Sequence, residues 1–260
     1  VACTPDLASV CDALAADGQI ATDPPTLELA EAAEPPAEVD GWITWDPAPQ
    51  VANFDAGQEA VWGTSEALGS APLAALADSE AFSYLRSGCT DVDWTCFATR
   101  FVGEGFSVGV GDPTTAEGLA RLAPLAIALS PDLDPDGLRS EDLRRIVEST
   151  TQDEAATMAR AATQPALVGM VVGPKGLLDA VADTAQGKSR ALGVEVLAPR
   201  TTATVVIAPR SGRDLGDVAE ACDVDEVAAA LRAVGVEPCE DGRGDEDRAG
   251  FLYRVREKAS

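Results

Sequence analysis

The chain has 260 residues, with 44 Asp and Glu against 19 Lys and Arg, no His, and a formal net charge of −25 at pH 7. The missing His excludes His-based catalysis and His-based metal sites, and the negative charge opposes binding to nucleic acid or to an anionic membrane surface. Hydrophobic residues make up 46% of the sequence, enough for a large core in one domain or two lobes. The charge itself is typical of a soluble, salt-tolerant surface.

The first half of the chain predicts alternating helices and strands. Thr4-Pro5-Asp6 is a helix start, and apolar residues up to Leu14 follow it at helical spacing. Residues 18–38, rich in Pro, Glu and Ala, predict a loop with a short helix. Further predicted elements are strands at 39–45, 73–77 and 106–110, and helices from Gln50 onward, at 81–86 and at 116–129.

The second half continues the alternation after a turn-rich linker at residues 130–137. It predicts helices at 140–163, 176–185 and 218–233, and strands at 166–172, 194–197, 202–208 and 251–255. Strands separated by helices indicate an α/β protein with mixed, mainly parallel sheets flanked by helices. No apolar run is long enough to span a membrane directly.

Six cysteines form three sequence-local pairs, Cys3 with Cys11, Cys89 with Cys96, and Cys222 with Cys239. Six cysteines allow 15 connectivities, and proximity favours local disulfides. Without a CxxC motif or any His, we expect no metal site, and local disulfides predict an extracytoplasmic location, secreted or anchored at the cell surface. Val1-Ala2-Cys3 allows two interpretations: the end of a first strand, or the tail of a lipoprotein cleavage motif with lipid on Cys3.

No set of catalytic residues can be recognised. A Ser or Cys nucleophile would have no His to act as its base, and carboxylates are so common that their spacing does not identify a general acid and a general base. Gly103-x-Gly105 and Gly109-x-Gly111 lack the third Gly of a phosphate-binding loop. The sequence therefore predicts a non-enzyme without a cofactor. Hydroxyl residues stand at helix starts, at Thr4, Thr114 and Thr115, where helix N-termini bind anions or where threonines simply cap the helix.

The order of five segments resembles the type II periplasmic solute-binding proteins, especially the short receptors for molybdate and other small anions. These segments are VACTPDLASVCDALA, VDGWITWDP, FSVGVGDPTTAEGLARLAPLA, ALVGMVVGPKGLLDAV and VEVLAPRTTATVVIAPR. The resemblance implies a two-lobed α/β fold, with lobe 1 at residues 1–75 and 202–260 and lobe 2 at residues 76–201. The two crossings between the lobes are expected near residues 71–80 and 198–204.

The resemblance also implies a ligand in the cleft between the lobes. Its contacts would come from Thr4, Trp45 and Asp46 in lobe 1, and from Thr114, Thr115, Gly173 and Lys175 in lobe 2. Asp23-Pro24-Pro25 stands where the family's oxyanion receptors have a Ser- or Thr-rich loop, and Asp46 would repel an oxyanion or pair with a cationic group. Alternative interpretations are a packed core aromatic or a surface aromatic for Trp45, and a solvated loop charge for Lys175.

Two functions are consistent with these features. The first is an exported, monomeric receptor that captures a small molecule between its lobes and delivers it to an ABC-type permease. The second is a ligand-sensing or protein-interaction domain of a larger membrane-anchored protein, without a role in transport.

Overall fold

The computed structural model describes residues 1–57, 59–104, 108–130, 132–133, 170–242 and 246–259. Within these ranges the strands are β1 (Ala2–Cys3), β2 (Gly41–Trp45), β3 (Glu66–Asp78), β4 (Val108–Gly109), β5 (Met170–Pro174), β6 (Leu192–Glu195), β7 (Thr202–Pro209) and β8 (Glu237–Pro238). The α-helices are α1 (Ala8–Ala16), α2 (Ala48–Ala56), α3 (Ser79–Gly88), α4 (Trp94–Glu104), α5 (Ala116–Leu129), α6 (Lys175–Asp183), α7 (Ala185–Ser189), α8 (Asp225–Ala233) and α9 (Glu246–Ala259). The predicted helix at 140–163 lies outside the described residues.

The strands form a mixed sheet in the order β1-β2-β7-β3-β5-β4, with β6 and β8 also paired to β3. Pairing is parallel between β1 and β2 and between β4 and β5, whereas the pairs that β3 and β7 make are antiparallel. The predicted mixed α/β class with flanking helices is confirmed, but the predicted mainly parallel pairing is wrong. Of the seven strand pairs in the described ranges five are antiparallel, because the long strand β3 runs antiparallel to each of its four partners. The long strand β3 connects the two parts of the sheet, because its first half pairs with β7 and its second half with β5 and β6.

Strand β3 is longer than the predicted strand at 73–77. It includes Gly69 and Pro72, two residue types that are disfavoured inside strands. A Cβ built on Gly69 would lie 2.5 Å from the Glu237 carbonyl oxygen, so glycine is what allows β8 to approach β3 here. Pro72 is paired with Thr202 at the point where β3 leaves β7, and the next residue, Leu73, pairs with Pro174 of β5. The strand thus changes partners at Pro72.

The core covers both faces of β3. Leu73, Ala75 and Ala77 belong to the main hydrophobic cluster, and the alternate residues Ala74 and Leu76 pack in a smaller cluster with residues that include Val171 and Leu178. This alternation is the two-residue period of a strand, and burial of both faces explains its nearly continuous apolar sequence.

The predicted strand at 251–255 is wrong, because these residues belong to helix α9. Ala249, Leu252 and Val255 are buried at a spacing of three residues, which is helical, and Tyr253 stacks on Phe54 of α2 with ring centroids 5.5 Å apart. The predicted short helix within residues 18–38 is replaced by turns, and the helix predicted at 218–233 divides at Val224 into the 3-10 helix Gly216–Asp223 and α8.

The three sequence-local cysteine pairs are the three disulfides of the structure. Their Cα–Cα distances are 6.3 Å for Cys3–Cys11, 6.2 Å for Cys89–Cys96 and 5.4 Å for Cys222–Cys239. The sulfur of Cys3 is therefore bonded to the sulfur of Cys11. The lipoprotein interpretation would instead attach a lipid to the Cys3 sulfur.

Candidate functional site

Thr4 is fixed directly after β1. Its backbone N–H donates to the Ile43 carbonyl of β2 at 3.0 Å, which continues the parallel pairing of β1 and β2, and Pro5 then begins a 3-10 helix. The Thr4 side chain is 2% exposed, and its Oγ1 has no hydrogen-bond partner among the described residues. A buried hydroxyl without a partner is costly, and the buried hydroxyls of Thr44 and Thr204, which do not line this cavity, are in the same state.

Trp45 ends β2 beside this loop. Its ring is buried, as expected for a packed aromatic, and its indole Nε1–H donates to the carboxylate of Asp6. Since Trp45 is held by the pairing of β2 with β7, its indole fixes the Asp6 carboxylate next to Thr4. Trp45 is thus a positioning residue for Asp6.

Thr115 and Thr114 form the turn that starts α5. Thr115 is the N-cap, because its Oγ1 accepts from the Gly118 N–H at 3.1 Å, and it donates to the Asp112 carbonyl at 2.8 Å. Thr114 donates through its N–H and its hydroxyl to Asp112 Oδ1 at 2.9 and 2.7 Å. Both threonines therefore have the capping and turn roles that the sequence allowed.

The turn is pressed tightly against the helix. Gly111 has a φ of 82°, a conformation that favours glycine, and a Cβ built on Gly118 would lie 1.9 Å from the Asp112 carbonyl oxygen. Glycine at position 118 is therefore required for the Asp112 turn to rest on the first turn of α5.

A cavity of about 140 Å³ lies between the Thr4 loop and the start of α5. The two chain segments that face each other across it are far apart in sequence, and they bring Thr4 and Thr115 into the lining of one cavity. The cavity is lined by Thr4, Pro5, Asp6, Glu28, Gly111, Asp112, Thr115, Ala116, Glu117 and Gly118.

The cavity wall is acidic. It carries the carboxylates of Asp6, Glu28, Asp112 and Glu117. Arg121, one helical turn along α5, forms a buried ion pair with Glu117. Burial raises the pKa of Glu28 above its ordinary value, and repulsion from Glu31 and Asp6 raises it further.

The structure is similar to solved periplasmic binding proteins over nearly the whole chain. The periplasmic binding protein AfuA from Actinobacillus pleuropneumoniae has a TM-score of 0.58 at 13% identity, covering 96% of this chain and 92% of AfuA. A periplasmic thiamin binding protein has a TM-score of 0.61 at 10% identity, with 100% and 95% covered. The Atu4243-GABA receptor has a TM-score of 0.61 at 14% identity, with 99% and 95% covered.

The chain has the two-lobed type II periplasmic-binding-protein fold. No protein-family model matches the sequence. No curated protein matches it either. At identities of 10–14% the likeness establishes the fold alone.

The structure places the other predicted contacts elsewhere. Asp46 is buried and lies on the wall of a second cavity of about 820 Å³, together with residues that include Gln50 and Trp62. Gly173 is a buried residue of β5, and a Cβ built on it would lie 3.6 Å from Arg121 Cζ. Lys175 starts α6 and forms a half-exposed ion pair with Asp179, in accord with its interpretation as a surface charge. Their ligand-binding roles stay predictions.

Four charged residues of this site were not predicted as ligand contacts. Asp6 and Asp112 stand inside the quoted motifs, beside the threonines, and Glu117 is the acidic residue in the first turn of α5. Glu28 has no such signal, because it comes from the loop that precedes β2 and reaches the cavity only through the fold.

In the described ranges, no group of three or more His, Cys, Asp or Glu side chains is arranged to hold a metal ion. Among the helices in the described part of the chain, none has the length and apolar character needed to cross a membrane.

Proposed function

We propose that the protein is an exported, monomeric solute-binding protein that captures a small molecule in the cleft between two lobes, for delivery to an ABC-type permease. The observation that carries the proposal is the cavity between the Thr4 loop and the start of α5, whose lining includes the buried residue Thr4. The fold supports it, because AfuA, the thiamin binding protein and the GABA receptor are named as periplasmic binding proteins or receptors.

The proposed lobes are residues 1–75 with 202–260, and residues 76–201. This division agrees with the exchange of partners in β3 at Pro72 and Leu73, and with the start of β7 at Thr202. The cavity then has Thr4, Asp6 and Glu28 on lobe 1 and the α5 turn on lobe 2. A hinge motion around Pro72 and Thr202 would close these two walls on a ligand.

The proposed location is extracytoplasmic, which three disulfides support, because such bonds persist in oxidising compartments. The proposed role is binding without catalysis. The ligands named for the similar structures are fructose-6-phosphate, thiamin and GABA, which differ in chemistry. The fold therefore does not define the ligand, and the side chains of the cavity must do so.

A thermal-shift screen of the purified chain tests the proposal. Amines, oxyanions, amino acids, sugars and divalent metals are added at equal ionic strength. A ligand at 100 times its dissociation constant stabilises the native state by about 2.7 kcal/mol, which raises the Tm of a chain of this size by several degrees. Stabilisation by one class supports the proposal. A cooperative melt that no class shifts contradicts it and favours the interaction-domain interpretation.

A further inference from the structure

We propose that the turn at Gly235 is a backbone stop between the two lobes, which sets the angle between them and with it the width of the cavity between the Thr4 loop and α5. This inference rests on the lobe division of the proposed function and adds a conformational control of the same site. It is carried by the two glycines that meet at the contact, Gly235 and Gly176, and by the position of the contact beside the hinge.

Helix α8 ends in a Schellman turn whose backbone is fixed by its own hydrogen bonds. The Gly235 N–H donates to the Arg232 carbonyl at 3.0 Å, and the Val236 N–H donates to the Leu231 carbonyl at 2.9 Å. Gly235 has a φ of 80°, a conformation that favours glycine, and both Gly235 and Val236 are buried. The turn therefore presents a rigid stretch of backbone to whatever packs against it.

The Gly235 turn lies directly against the junction of β5 and α6. A Cβ built on Gly235 would lie 2.8 Å from both the backbone nitrogen and Cγ of Leu177, and 3.2 Å from Pro174 Cβ. From the other side, a Cβ built on Gly176 would lie 3.1 Å from the α-carbon and from the carbonyl oxygen of Gly235. The two backbones are thus in close contact, and a side chain on either glycine would press them apart.

The contact lies beside the proposed hinge. Strand β5 ends at Pro174, which pairs with Leu73, and β8 begins at Glu237, which pairs with Ser70. The residues of β3 between these two pairs include Pro72, where the strand changes partners. A rotation of one lobe against the other around this point changes the spacing between the start of β8 and the end of β5.

The two sides of the contact belong to different lobes in the proposed division. Helix α8 packs against α1 of lobe 1, whereas α6 packs against β6 of lobe 2. Val236 lies in the main hydrophobic cluster, and Leu177 packs on the smaller one. Among the described residues, no backbone hydrogen bond joins the Gly235 turn to α6. The contact thus resists compression without tying the lobes together, as a stop between two moving parts requires.

A matched pair of substitutions tests the stop. Gly18 ends α1 in the same Schellman turn, with a φ of 80° and the same two hydrogen bonds, but a Cβ built on it meets no atom within 4 Å. Asn tolerates this conformation better than most residues do, so Gly235→Asn and Gly18→Asn have a similar cost within the turn itself. Gly235→Asn alone of the two adds a side chain at the proposed contact between the lobes.

Residual dipolar couplings of the backbone N–H groups, measured by NMR without any ligand, give the orientation of lobe 2 relative to lobe 1. We expect Gly235→Asn to rotate lobe 2 by more than the scatter between repeated measurements of the parent chain, and Gly18→Asn to leave the orientation unchanged. Gly176→Ala presses on the same contact from lobe 2 with a smaller overlap, so it should rotate lobe 2 in the same direction and by less. Melting curves verify that the variants fold.

An unchanged orientation in folded Gly235→Asn would overturn the inference, because α6 would then have yielded locally. Equal rotation in Gly235→Asn and Gly18→Asn would also overturn it, since the turn rather than the contact would be the cause. If Gly235→Asn does not fold, Gly176→Ala decides: a rotation of lobe 2 supports the stop, and an unchanged orientation refutes it. These measurements need no ligand, so a thermal-shift screen without any stabilising compound would contradict the proposed function and leave this test as it is.

Discussion

The contact between Gly118 and the Asp112 turn can be tested by Gly118→Ala. In an exposed helix interior, replacing Gly by Ala stabilises by about 0.5–1 kcal/mol, because the unfolded chain loses conformational freedom and Ala favours the helix. In the structure, however, the new Cβ would lie 1.9 Å from the Asp112 carbonyl oxygen and 2.5 Å from its carbonyl carbon. Both are backbone atoms, so no side chain can rotate away.

Relief of this overlap requires the Asp112 turn to move more than an ångström away from α5. Overpacking of this kind costs about 1–3 kcal/mol and occasionally more. The buried neighbours Leu119 and Ala120 prevent the helix from moving instead, which favours the upper part of that range. After subtraction of the helix gain, we expect Gly118→Ala to lower the free energy of unfolding by about 1–2 kcal/mol.

The matched control is Gly250→Ala in α9, which is also a helix of 14 residues. There the nearest atom to the new Cβ is Phe54 Cζ at 3.5 Å, an ordinary contact, so we expect stabilisation by about 0.5–1 kcal/mol. Urea unfolding followed by circular dichroism measures both variants. Equal stabilisation by the two substitutions would show that the turn does not rest on α5, and the described cavity wall would be wrong.

Two further predictions concern stability. The raised pKa of Glu28 means that the native state holds this proton more tightly than the unfolded state, so ionisation of Glu28 costs stability as the pH rises through its folded pKa. Glu28→Gln should therefore have a higher Tm than the parent at pH 7, and the difference should disappear below the ordinary pKa of 4.5; a constant difference at all pH values would contradict this. Replacing both Cys222 and Cys239 by Ala should cost about 3 kcal/mol, because the bond closes a loop with a sequence separation of 17 residues; unchanged urea unfolding would refute it.

Much of the fold could be predicted from local patterns. Strand β7, with its run of β-branched residues, and helix α5, with Thr115 before it, were predicted within one residue of their bounds. A strand was predicted at 251–255 because Phe251 and Val255 are residue types that favour strands. The helical spacing of the buried residues Ala249, Leu252 and Val255 becomes visible only when Ala249 is included. The start of β3 was missed because Gly69 and Pro72 interrupt the strand pattern of the sequence. Gly69 is explained by the close approach of β8 to β3, and Pro72 lies where β3 changes its partner from β7 to β5.

Two of the residues that line the candidate cavity were nominated from the sequence. Thr4 and Thr115 were nominated from helix-start chemistry together with the family resemblance, and the structure places both on one cavity. The acidic character of the wall could not be predicted, because a chain with 44 acidic residues offers carboxylates everywhere and spacing does not select among them. Glu28 in particular reaches the cavity through a loop that has no periodic pattern.

The most direct test of the cavity as the ligand site is the indole N–H signal of Trp45. This group donates to Asp6 on the cavity wall, whereas Trp62 lies on the second cavity and Trp94 belongs to α4. In a ¹H–¹⁵N correlation spectrum, with indole signals assigned by single Trp→Phe variants, we expect a compound that stabilises the chain in the thermal-shift screen to shift the Trp45 signal and to leave that of Trp94 in place. A shift confined to Trp62, or no shift when that compound is saturating, would contradict the assignment of the ligand to this cavity.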